Sequence, residues 1–177
     1  MLNQRGVSLT ELIFTIAILA IIASIAAPSF IEQIKRMEAN TIRSKITSTL
    51  KTAKAESRIR RQNLIVCLAN THNVCHKNAQ DRLLLFTDSD DNQTYNFNTD
   101  TLISIEALDL DYGKVYLRAG RRSHTKFFGD TGTPRGHMGH IKYCPDDDER
   151  SRMYQVSFNM VGGIKFKPKA RHDTECP

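Results

Sequence analysis

One apolar stretch near the N-terminus is long enough to cross a membrane. From Val7 to Ala27 its side chains are apolar except for a few hydroxyls and one carboxylate, at Ser8, Thr10, Glu11, Thr15 and Ser24. A helix rises about 1.5 Å per residue, so this stretch nearly matches a hydrocarbon core about 30 Å thick. We predict a membrane-spanning segment over residues 7–30, as the first half of a helix that extends to residue 62.

Glu11 is the one ionisable residue in this stretch. A charge that is buried in lipid without a partner is costly, and such residues usually have a function. A cut after Gly6 would give Val7 a positively charged amino group, four residues before Glu11. The sequence therefore favours a pairing of Glu11 with an amino terminus once the chain has been processed.

These residues resemble the precursors of type IV pilins and type II secretion pseudopilins. The shared pattern is a short polar leader containing Arg5, a glycine before the cut, a glutamate fifth in the mature chain, and a proline after the apolar helix, here Pro28. The resemblance implies that a prepilin peptidase removes residues 1–6, that the amino group of Val7 is methylated, and that Glu11 acts in assembly. The implied partners are other major and minor pilins and the inner-membrane assembly platform. Many family members begin the mature chain with phenylalanine, whereas this one would begin with valine.

Two other interpretations of the N-terminal segment remain open. The sequence Ser24-Ile25-Ala26-Ala27 ends in small residues, which is typical of a signal-peptide cleavage site. A plain membrane anchor that keeps its leader would also explain the apolar run, but it leaves Glu11 without a partner cation. The position of the mature N-terminus distinguishes the three interpretations.

After Pro28 the pattern changes to that of an amphipathic helix over residues 29–62. Apolar side chains recur at helical spacing along one face, at Ile31, Ile34, Ile42, Ile46, Leu50 and Ala53. Short apolar runs between turn residues then predict strands at Leu64 to Ala69, Arg82 to Phe86, Leu102 to Leu108, Lys114 to Leu117, His140 to Tyr143, Met153 to Phe158 and Ile164 to Phe166. This order predicts an α+β fold, in which the helix packs on an antiparallel β-sheet head formed by residues 63–177.

The order of motifs in the head narrows the resemblance to minor pilins of the FimT/FimU/GspH type. An apolar strand leads into the acidic turn Asp88 to Asn92, and a second apolar strand follows Asp100. Three further segments match that family's head in order: Phe127 to Pro134, Ile141 to Cys144, and Tyr154 to Ser157. The resemblance covers most of the chain. It implies a type IV pilin fold in a single-pass inner-membrane protein, whose head lies in the periplasm and later at the pilus tip.

Four cysteines follow the apolar helix, at Cys67, Cys75, Cys144 and Cys176. An even number of cysteines in an exported head indicates disulfide bonds. Of the three possible pairings we favour Cys67 with Cys75, which closes a short polar loop, and Cys144 with Cys176, which tethers the tail. Zinc is the alternative, with possible ligands at His72, Cys75, His76, His137, His140 and Cys144, although their spacing fits no closed zinc signature.

The chain carries a formal net charge of +6, which favours anionic partners. One group of cations forms a ridge along the amphipathic helix, at Lys51, Lys54, Arg58 and Arg61. A second group surrounds Gly120, at Arg118, Arg121, Arg122 and Lys126. The third is the tail, at Lys165, Lys167, Lys169, Arg171 and His172. Most such groups are solvated surface, so the question is which of them contacts a ligand.

The tail is the best candidate for binding double-stranded DNA. Lys165 and Lys167 alternate with apolar residues, so an extended strand would point both ammonium groups to one side. Members of the subgroup implicated in DNA uptake carry Gly-Arg-x-Arg near the C-terminus, where this chain has Gly163-Ile164-Lys165-Phe166-Lys167. Lysine offers only a point charge, so we expect salt-dependent contacts that ignore base sequence. The expected contacts are Lys165, Lys167, Lys169, Arg171, Arg121 and Arg122, and the alternative is a basic edge that discourages strand pairing.

The acidic turn could also be a calcium loop, because Asp88, Asp90 and Asn92 alternate as in an EF-hand. However, Gln93 stands where the sharp turn requires glycine and Thr99 where a bidentate glutamate is needed. No nucleophile with a base and no phosphate-binding loop is evident, so we expect no enzyme activity, cofactor or metal. The sequence predicts a tip-associated minor pilin that takes part in pilus assembly and binds DNA during uptake. The alternative is a type II secretion pseudopilin without a DNA role.

Overall fold

The computed structural model describes residues 8–169 and residue 176, apart from the side chain of Ile25. The chain divides into two compact units, Met1–Met37 and Glu38–Pro177. The predicted sites Gly6, Val7 and Arg171 lie outside the described residues, as does His172.

A single helix, α1 (Leu9–Arg60), forms the described part of the first unit and continues into the second. The Ser8 hydroxyl accepts a hydrogen bond from the Glu11 backbone N–H at 3.3 Å, which is the usual N-cap interaction. Arg58 and Arg60 in the last turn suit the negative end of the helix dipole. The helix passes through Pro28 without ending, as the sequence predicts.

The apolar side chains of the first unit have no protein core around them. Leu9, Phe14 and Leu19 are all more than 60% exposed. By length and composition, this part of α1 could cross a membrane. Ile31 also belongs to this unit and is 47% exposed, so its assignment to the buried stripe was wrong.

In the described part of the chain, eight strands follow the helix: β1 (Leu64–Ala69), β2 (Arg82–Thr87), β3 (Leu102–Ala107), β4 (Gly113–Arg118), β5 (His124–Phe127), β6 (Gly139–Pro145), β7 (Tyr154–Phe158) and β8 (Ile164–Pro168). Sheet 1 has the order β3-β2-β1-β5 and sheet 2 the order β4-β6-β7-β8, with antiparallel pairing throughout. The predicted α+β fold is confirmed, with its strands divided between two sheets. The sequence analysis missed β5, because this strand is rich in polar residues.

The main core lies where α1 meets both sheets. The helix contributes a stripe of residues that are at most 5% exposed: Ala39, Ile42, Ile46, Leu50 and Ala53. Sheet 1 contributes Leu64, Val66, Leu83 and Leu85, and sheet 2 contributes Val115, Leu117, Ile141, Tyr143 and Val156. Because every second residue of sheet 2 points into this core, the residues between them must lie on its outer face.

Polar contacts hold the helix against the head at this core. Glu38 accepts hydrogen bonds from the backbone N–H groups of Asp111 and Tyr112 and from the Tyr143 hydroxyl, the last at 2.8 Å. The Tyr154 hydroxyl donates to the Ala39 carbonyl, also at 2.8 Å. Burial raises the pKa of both tyrosines, so they remain neutral donors at any ordinary pH.

Candidate functional site

The outer face of sheet 2 carries two rows of polar and cationic side chains. In one row, Lys142 on β6 lies between Tyr116 on β4 and Gln155 on β7, and Gln155 lies beside Lys167 on β8. In the other row, the strand register aligns Arg118, His140, Ser157 and Lys165. Four cations on three strands therefore share one surface, which we call the basic face: Arg118, Lys142, Lys165 and Lys167.

His140 lies on the basic face and is influenced by three of its four cations. Burial is the main cause that lowers the pKa of His140, and together with the positive charges of Lys142, Arg118 and Lys167 it brings the pKa to about 4. At neutral pH the imidazole is therefore uncharged. The Arg118 guanidinium also lies 5.2 Å from the centre of the Tyr116 ring, which is cation–π distance.

The predicted DNA contacts are only partly brought together. Lys165 and Lys167 lie side by side on the basic face. Lys142, which the sequence alone does not single out, lies on the same face two strands away. Arg121 and Arg122 lie in the turn between β4 and β5, where Arg122 donates to the Gly136 carbonyl at 2.9 Å. The alternation of side chains along β6 places Lys142 on one face of that strand. It can be grouped with the β8 lysines only once the strand order of sheet 2 is known.

On the helix ridge, two side chains have structural contacts. The Lys54 ammonium donates to the Gly162 carbonyl at 2.8 Å. Gly132 approaches Arg58 so closely that an added Cβ would lie 2.4 Å from its Cγ. Lys54 and Arg58 therefore help to position the loops next to the end of α1.

Lys126 was wrongly grouped with the surface cations. Its side chain is 5% exposed, and its ammonium contacts the carboxylates of Asp88, at 3.2 Å, and Asp91. Burial alone would lower the pKa of Lys126, but the hydrogen bonds to Asp91 and Asp88 outweigh burial and raise it. Lys126 is a charged anchor inside the head and not a ligand contact.

The carboxylates of the acidic turn are bound by Lys126 and by neighbouring backbone N–H groups. Asp88 accepts a further hydrogen bond from the Gln93 N–H, and Asp100 accepts from the N–H groups of Ser89 and Asn96. Asp90 accepts from the side chain of Asn92 at 2.7 Å. Within residues 8–169 and 176, no three metal-ligating side chains are grouped to hold an ion. The carboxylates fold this loop through backbone N–H groups and a lysine, in place of the calcium ion considered above.

Two disulfides are present, between Cys67 and Cys75 and between Cys144 and Cys176. Oxidised sulfur is not a zinc ligand, so Cys75 and Cys144 cannot serve in the zinc site considered above. Cys67 lies on the outer side of sheet 1, where Leu84, Phe86 and the Cys75 loop form a second small core. The other disulfide attaches the end of the tail to β6 of sheet 2.

Glu11 is exposed in the first turn of α1. The spacing Ser8-Leu9-Thr10-Glu11 is that of a helix capping box, in which serine at the N-cap is followed by glutamate three residues later. Of the two hydrogen bonds that define a capping box, the structure shows the one that the Glu11 N–H donates to the Ser8 hydroxyl. A role in capping does not require a negative charge, because glutamine serves equally well in a capping box.

Two family models match this chain, and they cover successive parts of it. A prokaryotic N-terminal methylation motif covers residues 1–27, which include the predicted leader and the apolar first part of α1. The model for the type II transport protein GspH covers residues 44–162, from the middle of α1 to the turn before β8. The chain belongs to the GspH family. No curated protein and no solved structure matches it.

Membership confirms the resemblance found in the sequence. This GspH protein is a pilin or pseudopilin that takes part in pilus or secretion assembly, a structural component of a filament. The family implies assembly with other pilins and processing by a prepilin peptidase. The methylation motif and the apolar helix fit an anchor in the inner membrane.

Acid should destabilise the head of this GspH protein before its carboxylates are protonated. Burial lowers the pKa of His124, and it lowers the pKa values of His137 and His140 to about 4, with nearby cations adding to each effect. Unfolded histidine has a pKa of about 6.5, so between about pH 6.5 and pH 4 the unfolded chain binds protons that the native chain does not. The free energy of unfolding should therefore fall by up to about 1.4 kcal/mol per pH unit for each histidine.

Denaturant unfolding at several pH values measures this slope. Replacing His137 and His140 with glutamine should flatten it, whereas replacing His72, an exposed loop histidine, should leave it unchanged. Two results would contradict this account: a wild-type free energy of unfolding that does not change with pH above pH 5, or a double variant that keeps the wild-type slope. Either would show that these imidazoles are not held neutral by the fold.

Proposed function

We propose that this GspH protein is a minor, tip-associated pilin that binds DNA through the basic face of sheet 2. The single observation that carries the proposal is that Arg118, Lys142, Lys165 and Lys167 lie on one face of sheet 2, on strands β4, β6 and β8. The spacing between neighbouring strands is about 4.8 Å, and residues i and i+2 on a strand are about 6.6 Å apart. Charges spaced in this way can contact several phosphates of one duplex at once.

The N-terminal part of the proposal concerns export. Residues 1–6 form the leader, the cut lies between Gly6 and Val7, and the amino group of Val7 is methylated. Residues 7–62 are then the mature helix, with its membrane half at 7–30, and residues 63–177 form the disulfide-bonded head in the periplasm. Glu11 pairs with the terminal amine of a neighbouring subunit in the filament. The matching methylation motif supports this order of events.

The chemistry of the basic face favours phosphate contacts over base recognition. Three of its four cations are lysines, which give point charges without the bidentate geometry that reads a guanine edge. They lie on a broad sheet face, and among the described residues the one helix, α1, packs on the opposite, core side of sheet 2 and does not offer a groove-entering element here. Affinity should therefore depend steeply on salt and little on base sequence.

Replacing Lys165 and Lys167 together with alanine should flatten the salt dependence of DNA binding. Each phosphate contact contributes about −0.9 to the slope of log K against log salt, so the double variant should lose up to about two units of slope. The measurement is fluorescence anisotropy of a labelled duplex with the full chain in detergent micelles, over a salt series and with two unrelated sequences. Both sequences should lose affinity equally.

A matched control removes the same net charge elsewhere. Lys51 and Arg61 lie exposed on the helix ridge, and their double alanine variant should keep the wild-type slope. If this control flattens the slope as much as the Lys165/Lys167 pair, binding follows overall charge and the basic face is not the site. The absence of DNA binding even at low salt would remove the DNA role altogether.

A second candidate function is a secretion pseudopilin without a DNA role. The observation that favours it is the family model itself, whose description is a type II transport protein. Crosslinking the protein in its native membrane and identifying the captured subunits separates the two functions. Pilus subunits among the captured proteins support the first, and secretion pseudopilins support the second.

A further inference from the structure

The two edge strands of sheet 2, β4 and β8, differ in how far the rest of the described chain covers their backbone groups. At the β4 edge, the side-chain amide of Gln80 bonds both the N–H and the carbonyl of Val115, each at 2.8 Å. The Lys77 carbonyl accepts the N–H of Leu117 at 2.9 Å. The loop between β1 and β2 therefore covers this edge and satisfies its backbone groups. In the part of the chain that the structure describes, no comparable cover lies along β8.

The register of β7 and β8 identifies which backbone groups face outward. The Asn159 N–H donates to the Gly163 carbonyl and the Lys169 N–H donates to the Met153 carbonyl, which marks both ends of the ladder. Hydrogen-bonded pairs alternate in an antiparallel ladder, so Lys165 and Lys167 also direct their N–H groups at β7. The N–H groups of Ile164 and Phe166 consequently point away from the sheet. Pro168 occupies the next outward position, where its missing N–H costs nothing.

The side chains beside this edge define what could lie against it. Lys165 and Lys167 project from the outer face, while Phe166 projects from the core side and is 45% exposed. The Phe166 ring lies 5.6 Å from the ring of Tyr154 and 4.8 Å below the Arg43 guanidinium. A strand added here would place alternate residues next to the two lysines and the others next to the phenylalanine.

We propose that the β8 edge pairs with an extended, acidic segment of a neighbouring subunit, which adds a fifth strand to sheet 2. Carboxylates at alternate positions of that segment would lie opposite Lys165 and Lys167, and the residues between them would be apolar and cover Phe166. A second copy of β8 is a poor partner, because registers that set lysine opposite lysine on the same face are destabilising. The lysines thus reject strands like their own and accept acidic ones.

The test uses the full chain in detergent micelles and a blocked peptide, Thr-Glu-Val-Glu-Val-Thr, with Thr-Lys-Val-Lys-Val-Thr as the matched control. The acidic peptide in excess should slow hydrogen exchange of the Ile164 and Phe166 amides by about tenfold or more, and the basic peptide should not. The Lys165→Glu/Lys167→Glu variant should reverse this preference. Lys51→Glu, at an exposed position of the helix ridge, should leave the preference as it is.

A second pair of variants separates backbone pairing from side-chain contact. Phe166→Ala and Phe166→Pro both lose the ring, but only the proline also loses the outward N–H. The alanine variant should still bind the acidic peptide, and the proline variant should not. Unchanged exchange at Ile164 and Phe166 with either peptide would overturn the proposal. Equal slowing by both peptides would overturn the acidic partner, and equal binding by the two Phe166 variants would overturn the strand pairing.

Discussion

Replacing Lys126 with methionine should lower the free energy of unfolding of the head by about 3 to 5 kcal/mol. The reason is the carboxylate left behind: the Asp88 side chain is 0% exposed, and Lys126 is its ionic partner at 3.2 Å. An isolated buried carboxylate has lost its hydration without compensation. Denaturant unfolding of the detergent-solubilised chain, followed by near-ultraviolet circular dichroism, measures the loss.

Two further variants show whether the cost comes from burial of the unpaired charge. Adding Asp88→Asn to Lys126→Met removes that charge and keeps an acceptor for the Gln93 N–H, so it should recover most of the lost stability. In contrast, the Arg135 Nη2 group donates to both carboxylate oxygens of Asp130 in a pair that is exposed on both sides, so Arg135→Met should cost far less stability than Lys126→Met. If Lys126→Met and Arg135→Met cost the same, Lys126 is not an internal anchor.

Replacing Glu11 with alanine should leave membrane insertion intact and almost abolish incorporation into filaments. If Glu11 pairs with the terminal amine of a neighbour in lipid, removing one partner of such a buried pair costs about 3 to 5 kcal/mol at each subunit contact. Carbonate extraction of membranes measures insertion, and immunoblotting of sheared filaments measures incorporation.

Conservative variants distinguish this pairing from helix capping. Glu11→Gln keeps the size and the capping-box pattern but removes the charge, so it should fail to incorporate as severely as alanine. Ser8→Ala removes the cap and keeps the charge, so it should incorporate at nearly the wild-type level. Normal incorporation of the glutamine variant would reduce Glu11 to a helix-capping residue.

The features that the sequence predicts well are those determined by local pattern. The apolar run and the stripe at Ile42, Ile46 and Leu50 repeat at helical spacing, and they mark α1 and its buried face. β1 and the middle of β2 are apolar on both sides, because these strands are buried on both faces of sheet 1. Seven of the eight strands could be recognised in this way.

The features that the sequence does not predict depend on pairing across long distances in the chain. From its sequence β5 looks like a polar segment, yet His124 and Lys126 are buried in the structure. The buried charge of Lys126 is compensated by Asp88, which lies 38 residues earlier in the chain. The basic face likewise needs the order β4-β6-β7-β8, which puts Lys142 on the same face as the tail lysines, two strands away from them. Alternation along β8 alone places Lys165 and Lys167 on one side, but it does not reveal their neighbours.

Intact-mass analysis of the protein extracted from its native membrane tests the central claim, that the chain is processed and exported as a pilin. The expected mass is that of the chain from Val7 onward with one added methyl group, and less four hydrogen atoms for the two disulfides. Peptide mapping without reduction should then recover Cys67 linked to Cys75 and Cys144 linked to Cys176. A mature terminus near Ala27, a retained leader or free thiols throughout would contradict it.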